Sequence, residues 1–207
     1  EKMQTLFSDF SLDFINNPID LCWDNKPSYP NSTAFHHDIK YAGKNSTIKI
    51  KEIQEKINIA PVDFYLLSSL DSIAWLLNIR GNDIKNIPVL CCYAIIPNRG
   101  KIELFINSKI THLVKDFENL INFNPLKNID EFIITIEAKK VFAMDENSSS
   151  YHFKNLCINN DILTYNFENP CLYPKAIKNL TEINGAKNAN IRDGISVVKY
   201  LFWLKTK

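Results

Sequence analysis

From Asn45 onward the apolar positions switch repeatedly between two periods. Thr47–Asn58 sets Ile48, Ile50, Ile53 and Ile57 among lysines and glutamates. That spacing predicts an amphipathic helix, capped by Asn45 or Ser46. Pro61–Ser68 is a short apolar run and predicts a strand. Leu70–Asn78, with Asp71 near its start, predicts a short helix directly after it. Val89–Pro97 and Lys101–Ile106 predict two strands joined through Asn98-Arg99-Gly100. A short helix is expected over Thr111–Asn119. Asn128–Ala138 carries conflicting signals. Its β-branched residues favour a strand and its acidic opening favours a helix, and the helix is preferred. A strand over Lys140–Met144, a helix over Ser148–Asn159 and a strand over Ile162–Phe167 follow. Ala176–Lys205 is the longest periodic segment, with Ile177, Leu180, Ile183, Ile191, Ile195 and Val198 near helical spacing. Gly185 and Gly194 interrupt it at a cost of about 1 kcal/mol each relative to Ala.

Strands alternating with helices, with one hairpin inside, predict an α/β fold whose mixed sheet is flanked by helices. The first 43 residues differ. Prolines at 18, 27 and 30 forbid a long helix and leave an extended connector that needs a surface to lie against. At the other end, the apolar stripe of the final helix also needs a partner surface.

The 207 residues carry 24 Lys+Arg against 23 Asp+Glu, a net charge of +1. A near-neutral chain without basic residues clustered among aromatics is a poor nucleic-acid binder. Five glycines, none spaced for a phosphate loop, exclude nucleotide fingerprints. The longest apolar runs, such as Ile73–Leu77, fall far short of the ~20 residues of a membrane span. The opening residues lack the apolar core of a signal peptide. Cys22, Cys91, Cys92, Cys157 and Cys171 form no C-x-x-C pair, and they read as buried reduced thiols of a cytosolic protein.

Direct search for chemistry finds no constellation. His36 and His37 would face opposite sides of a strand, which disfavours a shared metal. His112 and His152 open predicted helices and read as surface residues. Ser68-Ser69 follows a strand, but no base is recognisable as a partner. Asp145-Glu146 ends a strand and reads as the start of a turn.

Ser68–Ile84 is more specific: SSLDSIAWLLNIRGNDI. It resembles the middle-domain segment of the three-domain Xaa-Pro aminopeptidases, the aminopeptidase P group of the creatinase/prolidase "pita-bread" metallopeptidases. Ile19–Pro27 resembles that family's tryptophan-containing linker, with Lys26 where the family has Arg. Lys40-Tyr41-Ala42-Gly43 resembles its step into the middle domain. Lys175–Gly194 (KAIKNLTEINGAKNANIRDG) resembles the Lys-Asn-x-x-Glu-x-x-Gly opening of its first catalytic-domain helix.

The resemblance implies a creatinase N-terminal-like fold in three parts. Residues 1–43 would be the end of a first domain and a linker, 44–175 the middle domain, and 176–207 the first helix of a catalytic domain. The family removes the N-terminal residue of peptides whose second residue is proline. It uses two divalent metal ions, usually manganese, to activate a water. The family's Asp, Asp, His, Glu and Glu ligands lie beyond its first catalytic helix. The resemblance therefore implies no catalytic or metal-binding residue here, and a chain that is inactive alone. It would shape the substrate cleft and assist assembly, with a homodimer as one form. Arg80 is the candidate cleft residue, able to meet a peptide carbonyl or carboxylate. The plainer reading pairs Arg80 with Asp83 or Asp71 to pin the loop. Asp71, Trp75, Asn78, Gly81 and Asp83 are the structural part of the motif, with Trp75 in the core and Asn78 ending its helix. The competing reading is a stand-alone binding or assembly module with this fold and no peptidase activity.

Overall fold

The structure is a computed structural model that describes residues 6–11, 15, 18–110 and 113–207. Six strands build its main sheet. These are β2 (Phe64–Leu67), β4 (Cys92–Pro97), β5 (Ile102–Ile106), β6 (Ile121–Pro125), β7 (Val141–Met144) and β8 (Leu163–Asn166), in spatial order β6-β5-β4-β2-β7-β8. β4 runs antiparallel to both β2 and β5, while the β5–β6, β2–β7 and β7–β8 pairs are parallel. The predicted mixed sheet is thus present.

Both faces of the sheet are covered, which is why its central strands read as continuous apolar runs. Neighbouring residues of β2 point to opposite sides. Tyr65 and Leu67 pack with Ile50, Ile53 and Ile57 of α3 (Ser46–Ile59) and with Ile73, Leu76 and Leu77 of α4 (Leu70–Leu77). Leu66 packs with Ile95, Phe105 and Phe142 under Ile133 of α6 (Ile129–Ile134) and Phe153 of α7 (Tyr151–Asn159). Asn45 caps α3, its side chain accepting from Thr47 N at 2.9 Å.

The connector does lie on a surface. Ala34 N donates to Lys109 O at 3.0 Å, and Lys109 N donates to Ser32 O at 3.2 Å. It also holds α1 (Ile19–Cys22), the two-residue strand β1 (Phe35–His36) and α2 (Ile39–Ala42). β1 pairs antiparallel with β3 (Ile79–Arg80), directly after α4.

Three expectations change. The helix expected over Ala176–Lys205 is present but starts four residues later, as α9 (Leu180–Thr206), and Ala176 instead ends a separate short helix, α8 (Leu172–Ala176). A capping box breaks them apart. Asn179 accepts from Glu182 N at 3.0 Å while Glu182 accepts from Asn179 N at 2.9 Å. The helix expected over Thr111–Asn119 is α5 (Val114–Phe117), with Thr111 and His112 outside the described residues. β6 was not anticipated. Its two asparagines are pinned by Glu103 of β5: Asn122 Nδ2 donates at 2.6 Å and Asn124 Nδ2 at 2.7 Å.

The first turn of α9 is docked, since Asn179 Nδ2 donates to Ala42 O at 2.8 Å. Further along, no residue of α9 is buried. No helix among the described residues is long and apolar enough to cross a membrane. The five cysteines are free thiols, but Cys22 is exposed and Cys91 half-buried, so only Cys92, Cys157 and Cys171 fit the buried expectation. Cys22 lies in α1 and Cys91 in the loop before β4.

Candidate functional site

α4 ends because Asn78 turns into the left-handed region at φ 52°. Asparagine tolerates that conformation better than most residues. The turn reverses the chain into β3 and delivers Arg80 back over the helix it has just left. Arg80 Nη1 donates to Ala74 O at 2.5 Å and to Ile79 O at 2.9 Å. The Ala74 carbonyl is one of the last four of α4, where a cation is favoured, and Ile79 belongs to β3.

Arg80 meets neither Asp71 nor Asp83, so the ion-pair reading is overturned. Asp71 pairs with Lys175 of α8. Burial pushes the Asp71 carboxyl up, but the hydrogen bond and charge of Lys175 outweigh it and leave the carboxyl below its ordinary range. Asp83 is saturated by other donors: Ser32 N at 2.9 Å, Cys91 N at 2.8 Å and Ser108 Oγ at 3.1 Å. It staples the connector to the loops before β4 and after β5. Burial raises its carboxyl, and these hydrogen bonds more than offset that. The remaining donors of Arg80, Nε and Nη2, have no acceptor among the described residues. Burial lowers the Arg80 pKa and Glu182 opposes the shift.

Gly81 is needed for space rather than for an unusual φ. A Cβ there would stand 2.0 Å from Leu90 Cδ2. Trp75 is half-buried and packs on the core, and it also lines a pocket with Lys49 beside its ring.

Several residues of this junction were missed from sequence. Lys49 is 2% exposed. Its ammonium donates to Trp75 O and, at 2.6 Å, to Asn78 Oδ1. Burial, with a smaller contribution from Arg80, lowers its pKa to about 8. The signal was available: Lys49 lies one turn before Ile53 and two before Ile57, on the buried face of α3. Asn78 joins the parts. Its Nδ2 donates to Lys44 O at 2.9 Å, and its carbonyl accepts from His37 N at 2.7 Å. His37 stacks on Tyr41 at 5.9 Å. Burial, then the charges of Arg80 and Lys49, hold its imidazole below its ordinary pKa. His152, by contrast, is an exposed partner of Asp130 at 2.8 Å. No cluster of three or more His, Cys, Asp or Glu side chains suited to a metal occurs among the described residues. A two-metal centre therefore does not fit the residues described.

Comparison with known proteins places this arrangement. The pattern of the Creatinase/Prolidase N-terminal domain matches residues 25–182. Xaa-Pro aminopeptidase 1 of Dictyostelium discoideum is 36% identical over 183 residues, covering 86% of this chain and 28% of its own. A probable Xaa-Pro aminopeptidase P of Sordaria macrospora is 31% identical over 201 residues, covering 91% of this chain and 33% of its own. The crystal structure of X-prolyl aminopeptidase from Caenorhabditis elegans is described as that of a cytosolic enzyme with a di-nuclear active site. It matches with a TM-score of 0.81 at 21% identity, covering 94% of this chain and 33% of that one, a likeness of fold. The chain spans about a third of the length of these relatives. With its mixed sheet, its helix-and-arginine motif and a family pattern that runs through both, this chain belongs to the creatinase/prolidase N-terminal domain family.

Proposed function

We propose that this chain is the noncatalytic, cleft-shaping part of a Xaa-Pro aminopeptidase, acting on peptides with proline at the second position. The observation that carries the reading is the match to Xaa-Pro aminopeptidases along 86% and 91% of the chain. In this reading residues 1–43 are the linker from a first domain, 44–175 the middle domain and 176–207 the first helix of a catalytic domain. The divalent metals, manganese by preference, are held by residues outside this segment, and the enzyme works in the cytoplasm. Arg80 presents its free guanidinium edge to the cleft and takes a carbonyl or carboxylate of the peptide.

A chimera tests this. Residues 1–207 replace the matching segment of the Dictyostelium enzyme, and release of the first residue from an Arg-Pro-Pro peptide is followed with manganese. The chimera is expected to retain activity, while the chain alone has none. Arg80→Ala in the chimera is expected to raise KM about tenfold, as loss of one charge-assisted hydrogen bond does. A folded chimera without turnover, or turnover by this chain alone, defeats the reading.

A further inference from the structure

Lys49, Trp75, Ile177 and the first turn of α9 line a half-open pocket of about 280 Å³. On one wall stands the buried Lys49 ammonium. It has three N–H donors. Two are used by Trp75 O and Asn78 Oδ1, and the ammonium lies 4.6 Å from the Trp75 ring centroid. No acceptor takes the third among the described residues, and no carboxylate there forms an ion pair with Lys49. A buried cation without a counter-ion is costly, and an arriving anion relieves that cost.

Glu182, from the first turn of α9, lines the same pocket. Its Oε2 is used by the capping box, and its Oε1 accepts from no donor among the described residues. Trp75, Pro174 and Ile177 contribute apolar surface; Lys44 and Lys178 also line the pocket, but Lys44 is paired with Glu52 and Lys178 donates to the Lys175 carbonyl. A spare cationic donor, a spare anionic acceptor and apolar walls therefore share one small cavity.

We propose that this pocket binds a free, zwitterionic α-amino acid with an apolar side chain. The carboxylate meets Lys49, the ammonium meets Glu182, and the side chain lies against Trp75, Pro174 and Ile177. The size agrees. At ~30 Å³ per water the pocket holds about nine waters, room enough for one small amino acid. The proposal goes beyond the peptidase reading and does not need it, because binding is measured on this chain without turnover.

The test is NMR of the chain carrying ¹³C,¹⁵N-lysine, titrated with L-leucine to about 10 mM. The Lys49 side-chain resonance is expected to move saturably. N-acetyl-leucine, which lacks the ammonium, and leucinamide, which lacks the carboxylate, are each expected to bind at least about tenfold more weakly. Glu182→Gln keeps the capping hydrogen bond and removes the charge. It should weaken leucine about tenfold and leave N-acetyl-leucine unchanged. Lys49→Met should abolish both, and Glu182→Gln keeps the question answerable if Lys49→Met fails to fold. A Lys49 resonance indifferent to leucine, equal responses to leucine and N-acetyl-leucine, or unchanged leucine affinity in folded Glu182→Gln would each overturn the proposal.

Discussion

Asn78 is 3% exposed, and its side chain is shared between the Lys44 carbonyl and the Lys49 ammonium. The motif made Asn78 readable as the end of α4, but not as the partner of a buried lysine 29 positions earlier. That partnership makes Lys49 a pH reporter. Its pKa falls from 10.5 to about 8, first through burial and then through Arg80 and Lys44, opposed by Glu182 and Cys171. Between those two values the unfolded chain binds more protons, so Lys49 makes stability rise with pH. The buried thiols of Cys157 and Cys171, pushed up to about 11 and about 12, act oppositely, as does Cys92. They are common to the wild type and a Lys49→Met variant. The unfolding free energy of the wild type relative to that variant is therefore expected to climb by about 3 kcal/mol between pH 8 and 10.5. Urea denaturation across that range measures it, and a flat difference would mean that Lys49 titrates normally. Arg80 gives the complementary lesson. Nearby carboxylates in the sequence suggested an ion pair, but each had a better partner in space, Lys175 for Asp71 and Ser32, Cys91 and Ser108 for Asp83.

At the scale of elements, periodicity located α3, α4, the β4–β5 hairpin and α7 because each buries a regular apolar face. It failed at β6, where the run Ile-Asn-Phe-Asn-Pro has too few apolar positions to stand out. That edge strand exists because β5 offers a ladder and Glu103 offers both carboxylate oxygens. Periodicity also ran across the boundary between α8 and α9, since Ile177 and Leu180 continue the stripe while the backbone does not. The capping box that separates the helices does two things. It satisfies orphan N–H groups of α9, and its Asn179 side chain holds the helix to Ala42. Gly43, at φ +68°, makes room for it, since a Cβ there would lie 2.4 Å from Asn179 Oδ1. Asn179→Ala is expected to destabilise the start of α9 by about 2 kcal/mol, the sum of a lost cap and one lost hydrogen bond. Hydrogen exchange at the amides of 182–184 reads this, with little change expected in β2, β4 and β5. Unchanged protection would show that the cap does not hold the helix.

On the scale of the molecule, the sheet and its two cores are closed, whereas α9 offers Val198, Leu201, Phe202 and Trp203 at 49–70% exposure. Over its last third, Ile195–Leu204, α9 is apolar at all positions but Ser196 and Lys199, and a helix segment of that kind is normally surrounded. In isolation the chain is expected to associate through this surface, so its sedimentation mass should grow with concentration. Val198→Lys with Leu201→Lys should return it to the monomer, and a wild-type chain monomeric at all concentrations contradicts the expectation. The sequence by itself determined the α/β class, the main helices and the family motif, because amphipathic period and local capping chemistry are written in neighbouring residues. Only the tertiary structure decided the edge strand β6, the break before α9, the partners of Asp71, Asp83 and Arg80, and the burial of Lys49. Each of those depends on which groups meet across tens of residues, where competition between partners in space rather than spacing along the chain selects the contact.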